Sequence, residues 1–310
     1  MKKIIEKKLP IIIDTDPGHD DAMAIMLLER SGAVDIMAIT TVAGNSSIQN
    51  VTSNARYILD LLGSEIPLYS GSVKPLKREL IRAVVHGEGG LEGADISTQA
   101  KLTGDAVEKI ISIVREFTGK ISVVVIGPET NIAQAFLQDP ELPSMIKQLV
   151  IMGGAISVPG NKNRVAEFNI FVDPEAADIV FKAPVRKVLI PLDVCNDIIL
   201  QMSDFKKIKG SKLYEPLIKM MRKYIVGLKN GEKVNGALMY DPLAAYYLIN
   251  PKAYKLVKMD IEIETGSDLT RGMTVADRRI WGEKRPNVDV AVKIDAKKFV
   301  RDFIRIIAGK

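Results

Sequence analysis

Four aspartates, Asp14, Asp16, Asp20 and Asp21, fall within eight positions of the stretch IIIDTDPGHDD, directly behind a run of isoleucine and around a Pro-Gly turn. A helix N-terminus welcomes one carboxylate as a cap or dipole partner. Four exceed that need, because like charges a few ångströms apart oppose each other's ionisation unless a cation sits among them. A divalent metal meets the requirement. An all-oxygen ligand set points to Ca²⁺ or Mg²⁺ over zinc, and a shell of about six to eight oxygens favours calcium. On this segment alone the plainer reading stays open, in which two of the acids cap the helix and the others are solvated.

Further oxygen donors lie elsewhere in the chain. GPETNIA (127–133) is a Gly-Pro turn leading into a helix, where the backbone carbonyl of Thr130 is free to meet a cation. MYDPLAA (239–245) places Asp241 before Pro242, a helix-entry signal with a carboxylate at the cap. AGN (43–45) and AEFNIFVDPEAA (166–177) supply Asn45, Glu167 and Asn169, amide and acid groups suited to holding hydroxyls by hydrogen bonds. One cation surrounded by Asp, Asn and Glu suits a polyhydroxylated ligand such as a sugar.

Such residues need a frame that brings them together. Apolar runs of strand length recur as LPIIID (9–14), VDIMAITTVA (34–43), ISVVVIG (121–127), KQLVIMGG (147–154) and RKVLIPLD (186–193). Their near-continuous apolarity predicts strands covered on both faces, hence a mainly parallel sheet. Helical patterns lie between them at 21–32, 50–63, 105–120 and 173–184, several ending in Gly or Pro. The alternation predicts an α/β fold with an open, mainly parallel but mixed, doubly wound sheet, formed as a single domain over 1–310. The stretch 196–250 reads as mostly helical, strand character returns at 254–265 and 287–295, and a helix closes the chain from about 295. Most of the strands end in polar residues. In open α/β sheets ligands bind beyond the carboxyl ends of the strands, so these residues converge on one crevice.

Composition excludes several classes. The chain has 310 residues, 47% hydrophobic and 26% charged, an ordinary globular balance. Net charge is +5, but the basic residues are scattered without the aromatic interleaving of a nucleic-acid surface. The N-terminal MKKIIEKK lacks a signal peptide's apolar region, and no stretch has the ~18 apolar residues of a membrane span. A soluble, cytoplasmic protein is expected. The single cysteine, Cys195, rules out an intrachain disulfide and reads as a buried, inert thiol. The richness in Lys, Glu and Ile leans toward a thermophile.

The motif DTDPGHDDAMAI (14–25), of pattern D-x-D-P-G-x-D-D, resembles the hallmark of the nucleoside hydrolases, the inosine/uridine-type ribonucleoside N-glycosidases. Similar motifs follow in order along nearly the whole chain: ITTVAGN (39–45), HGEGGL (86–91), GPETNIA (127–133), VIMGGA (150–155), VAEFNIFVDPEAA (165–177) and YDPLAA (240–245). The resemblance implies that Asp16, Asp21 and Asp241 bind Ca²⁺ through carboxylates and Thr130 through its carbonyl, with Asp16 also the general base on a water. It implies that Asp20, Asn45, Asn161, Glu167 and Asn169 hold ribose hydroxyls, with Met152 against the sugar. It further implies hydrolysis of ribonucleosides to base and ribose through an oxocarbenium-like transition state that carboxylates stabilise, and a homotetramer or homodimer.

The leaving base raises the remaining question. Of the two histidines, His19 reads as structural, while His86 matches a family residue lining the base pocket and is the candidate leaving-group contact or proton donor. Where inosine/uridine-type members carry a catalytic His before the Asp-Pro pair, this chain has Tyr240, a weaker acid at neutral pH. The only tryptophan, Trp281, lies outside the site motifs, whereas purine-specific members sandwich the base between tryptophans; pyrimidine nucleosides are therefore expected. Tyr224, in the helical stretch MMRKYIVGL, reads as a core or surface aromatic, with a place bordering the pocket as the alternative. Purine or non-specific nucleoside hydrolysis stands as the alternative. A Mg²⁺-dependent phosphatase of the haloacid-dehalogenase type shares the strand followed by D-x-D but requires Gly-Thr soon after, and a non-catalytic nucleoside-binding module would use the same hydroxyl ligands.

Overall fold

The computed structural model describes residues 8–281 and 283–310. Most of the basic N-terminal stretch read above lies outside the described residues. The first half of the chain alternates β1 (Leu9–Thr15), α1 (His19–Ser31), β2 (Val34–Thr41), α2 (Ile48–Leu62), β3 (Leu68–Ser70), α3 (Ala106–Glu116), β4 (Ser122–Val125), α4 (Thr130–Gln138), α5 (Leu142–Met145) and β5 (Gln148–Met152). There follow α6 (Phe168–Val172), α7 (Pro174–Lys182), β6 (Lys187–Ile190), α8 (Leu192–Cys195), β7 (Ile199–Leu200), α9 (Met202–Phe205), α10 (Tyr214–Gly231), β8 (Ala237–Leu238) and α11 (Tyr240–Ile249). The chain ends with β9 (Tyr254–Met259), β10 (Ile261–Ile263), β11 (Thr274–Ala276), β12 (Val288–Ile294) and α12 (Ala296–Ala308).

Eight strands form one sheet in the order β3-β2-β1-β4-β5-β6-β12-β9. All neighbours run parallel except β12 and β9, which pair antiparallel. The mixed, mainly parallel sheet is thus the one expected from the sequence. Its cause is visible in β1: Ile11 and Ile13 pack with α1, α11 and α12 on one face, while Ile12 packs with α3, α4 and α7 on the other. A strand buried on both sides has no polar face to alternate with. Strand order reverses between β1 and β4, so the crevice at the switch point opens beyond Thr15 and Val125, where the acidic turn and the Gly-Pro turn lie.

Two details differ from the sequence reading. The 196–250 stretch is mostly helical, yet β7 and β8 form a two-stranded antiparallel ribbon within it. Strand character at 254–265 splits, with β9 in the main sheet and β10 pairing with β11 apart from it. The three-residue edge strand β3 carried no periodicity long enough to read. Among the described residues, no helix is long and apolar enough to cross a membrane.

Candidate active site

The acidic turn is built by strand, turn and helix together. Asp14, the last but one residue of β1, accepts hydrogen bonds from Thr40 Oγ1 at 2.6 Å and Asn131 Nδ2 at 2.8 Å. Pro17 and Gly18 then turn the chain into α1, whose first turn carries Asp20 and Asp21. Asp21 accepts from the Gly18 amide at 2.9 Å and from Thr15 Oγ1 at 2.5 Å, so it is both helix cap and part of the acidic cluster. The plain capping reading therefore holds for Asp21 but leaves the other acids unexplained.

Asp16 accepts the Asn45 amide N–H on Oδ2 at 2.6 Å, while its Oδ1 is buried without a partner. Asn45 commits its side-chain amide to the Asp16 carbonyl at 3.1 Å and Asp21 Oδ2 at 3.2 Å. Asp241, in the first turn of α11, joins Asp20 and Asp21 in a group whose carboxylate oxygens lie within 4.8 Å of one another. Asp20 Oδ1 is likewise buried and unpartnered. Burial raises the pKa of Asp16, Asp20, Asp21 and Asp241. For Asp16, Asp20 and Asp241, repulsion from neighbouring aspartates adds to it. Clustered hard oxygens with orphaned lone pairs fit a hard divalent cation.

Thr130 opens α4, and its hydroxyl donates to Asp173 Oδ2 at 2.7 Å. Its neighbour Glu129 is fully buried with neither carboxylate oxygen partnered, and burial raises its pKa well above the usual carboxylate range.

Above the acids lies a cavity of about 360 Å³ lined by Asp20, Asn45, His86, Met152, Asn161, Glu167, Asn169, Tyr240 and Asp241, together with Tyr224 and Glu232. Asp16, Asp21 and Thr130 are not part of this lining; they are buried beside it. Glu167 caps α6, accepting from the Asn169 amide at 2.9 Å and from the Gly154 and Ile170 amides at 3.2 Å each. Burial nevertheless lifts its pKa to about 7. Asn169 donates to the Ile126 and Met152 carbonyls at 3.1 and 3.2 Å, tying α6 to the ends of β4 and β5. Asn161 presents a buried Oδ1 with no partner. The bend before it is tight: a Cβ on Gly160 would lie 2.1 Å from the Ala166 carbonyl oxygen.

At the other end, His86 stacks on both His19 and Tyr224, with ring centroids 5.3 and 5.4 Å apart. The Nδ1 atoms of His19 and His86 are 3.0 Å apart, and His19 Nε2 is 2.9 Å from the Glu92 carbonyl. Burial holds His86 well below the ordinary imidazole value and His19 at about 4, so both rings are neutral at pH 7. His86 Nε2 is 3.8 Å from Asp20 Oδ1. Tyr224 is buried, yet it also borders the cavity, so the core reading and the pocket reading are both realised. Tyr240 donates to Asn196 Oδ1 at 3.2 Å and lies 3.5 Å from Glu232 Oε2. Glu232 was not legible in the sequence, since GEK at 231–233 reads as a solvated helix end. Cys195 is buried, and its thiol pKa is pushed up by burial. Trp281 is largely exposed and does not line the cavity.

This arrangement has counterparts. Residues 11–301 match the model of the inosine-uridine preferring nucleoside hydrolase family. The chain is 39% identical over 301 residues to a pyrimidine-specific ribonucleoside hydrolase, RihA, of Shigella boydii, covering 94% of this chain and 96% of that protein. RihA of Salmonella typhimurium is 38% identical over the same coverage. A plant nucleoside hydrolase, PpNRh1, superposes with a TM-score of 0.90 at 29% identity, covering 97% of this chain and 99% of its own. A purine-preferring ribonucleoside hydrolase from Gardnerella vaginalis does so with 0.88 at 29% identity, covering 97% and 98%. With the acidic cluster at the switch point and the family match spanning the whole sheet, the chain belongs to the inosine-uridine preferring nucleoside hydrolases and is an N-glycosyl hydrolase of ribonucleosides.

Proposed function

We propose that the chain hydrolyses pyrimidine ribonucleosides to free base and ribose in a calcium-dependent reaction. The observation that carries this reading is the cavity floored by clustered, partly unpartnered aspartates and walled by Asn161, Glu167 and Asn169. Calcium held by Asp16, Asp21, Asp241 and the Thr130 carbonyl would supply a grip on the ribose diol and lower the pKa of a water there. Asp16 takes that water's proton: its Oδ1 is free, and burial beside Asp21 makes it a stronger base than an exposed carboxylate. Asp20, Asn45, Asn161, Glu167 and Asn169 hold ribose hydroxyls, and Met152 packs against the sugar. The fixed acids stabilise positive charge as the C1′–N bond breaks. His86 and Tyr240 face the departing base, His86 as a neutral contact.

The pyrimidine preference is supported by the names of the relatives near 39% identity and by the lack of a tryptophan among the cavity's lining residues. The test is ribose released from uridine, cytidine, inosine and adenosine, with and without chelator. Chelator-sensitive release that is fastest with uridine or cytidine upholds the reading. Faster release from inosine or adenosine would overturn the base preference alone, and saturable binding without release would leave a binding module.

A further inference from the structure

Cleavage of a nucleoside leaves the electron pair of the C1′–N bond on the base, which must receive a proton or a strong hydrogen bond. Four titratable side chains line that part of the cavity: His86, Tyr224, Tyr240 and Glu232; the Tyr224 phenol is buried, its hydroxyl 3.5 Å from the Leu238 carbonyl, and burial raises its pKa. His86 is buried and neutral, and a neutral imidazole is a very weak acid. Tyr240 has a single hydroxyl proton. Its nearer acceptor is Asn196 Oδ1 at 3.2 Å, against 3.5 Å to Glu232 Oε2. The contact to Glu232 is a hydrogen bond in either protonation state: the phenol donates to an ionised carboxylate or, with its proton given to Asn196, accepts from a protonated carboxyl.

We propose that Glu232, held by Tyr240, is the catalytic acid that protonates the departing base, an assignment that rests on the nucleoside-hydrolase reading above. Glu232 caps the C-terminus of α10 and lines the cavity beside Gly231 and Tyr240. Burial raises its pKa and outweighs the opposing effect of the Tyr240 contact. The groups whose charges bear on it are Tyr224 on α10, Tyr240 on α11 and Asp20 on α1, none of them cationic; His86 and the one lysine of the lining, Lys162, share the cavity with it. In the reaction the C1′–N bond breaks, the base takes the Glu232 proton, and water adds to C1′ and gives its proton to Asp16. Proton exchange with solvent then restores both acids, so nucleoside and water give ribose and neutral base. Tyr240 is the positioning residue.

The test compares uridine with p-nitrophenyl β-D-ribofuranoside, whose leaving group departs as a stable anion. Glu232→Gln keeps the shape but has no proton to transfer. The expected result is a fall in kcat on the order of 10²–10⁴-fold for uridine but less than about tenfold for the nitrophenyl riboside. The decline in uridine turnover as pH rises through the Glu232 pKa should also disappear in the variant. Tyr240→Phe should shift that decline in the wild-type profile without abolishing it. Equal losses on both substrates would make Glu232 structural and overturn the proposal, as would uridine turnover unchanged by the substitution. Wild-type protein that releases no ribose from uridine would overturn the nucleoside reading itself, and this assignment with it.

Discussion

Asp16 combines a satisfied oxygen with an orphaned one, which gives it a fixed orientation and a free lone pair in the same group. Asp16→Ala should lower kcat by at least about 10³-fold, as judged by ribose release from uridine, because general base and ligand are lost together. Wild-type-like turnover in that variant would remove Asp16 from the mechanism. The acids also predict a response that needs no turnover. With the cation present their repulsion is relieved, and binding at a hundredfold excess over Kd stabilises the native state by about 2.7 kcal/mol. Chelator should therefore lower Tm and added calcium restore it; a Tm indifferent to both would count against a metal among Asp16, Asp21 and Asp241.

At the scale of elements, the site depends on how closely the loops after β1, β2 and β4 approach one another. A Cβ on Gly44 would lie 2.1 Å from Asp16 Oδ2, and one on Gly127 would lie 2.9 Å from Asp16 Oδ1. Neither glycine is required by a left-handed backbone; both are required by space. Gly44→Ala should displace the Asp16 carboxylate, costing about 1–3 kcal/mol of stability and at least about tenfold in activity with the circular dichroism spectrum retained. An alanine variant with full activity would show that the loop has room to give.

For the whole molecule, the buried acids set the pH response of stability. Asp14 and Glu167 have pKa values raised to about 7 in the folded chain, from the 3.8 and 4.5 of free carboxyls. Native protein therefore holds these protons where unfolded chain has released them, so their contribution is full below about pH 4 and is lost as pH rises through 7. Each amounts to a few kcal/mol at most, on the order of 1.4 kcal/mol per unit. Chelated protein should melt at a lower temperature at pH 8 than at pH 5, with the difference reduced by calcium; a rise in Tm over that interval would contradict the assignment. Assembly as a homodimer or homotetramer in the cytoplasm is also proposed, and light scattering that gives a stable monomer would remove the assembly.

The sequence by itself determined the central strands of the main sheet and their order of appearance, since continuous apolar runs such as IIID and SVVV are most stably placed inside a sheet covered on both faces. It also marked the acids of the turn, because no local need accounts for four carboxylates around one Pro-Gly pair. Tertiary structure alone decided the neighbours across the cavity. Asn161 owes its place to a bend packed against Ala166, and Tyr224 reaches the site only because α10 lies beside His19 of α1 and His86 of a distant loop. Glu232 is the sharpest case. It is a polar residue at a helix end in the chain, and it becomes a half-buried acid facing Tyr240 only once α10 and α11 are packed together. Burial depends on what other elements bring, and no local pattern of residues carries that information.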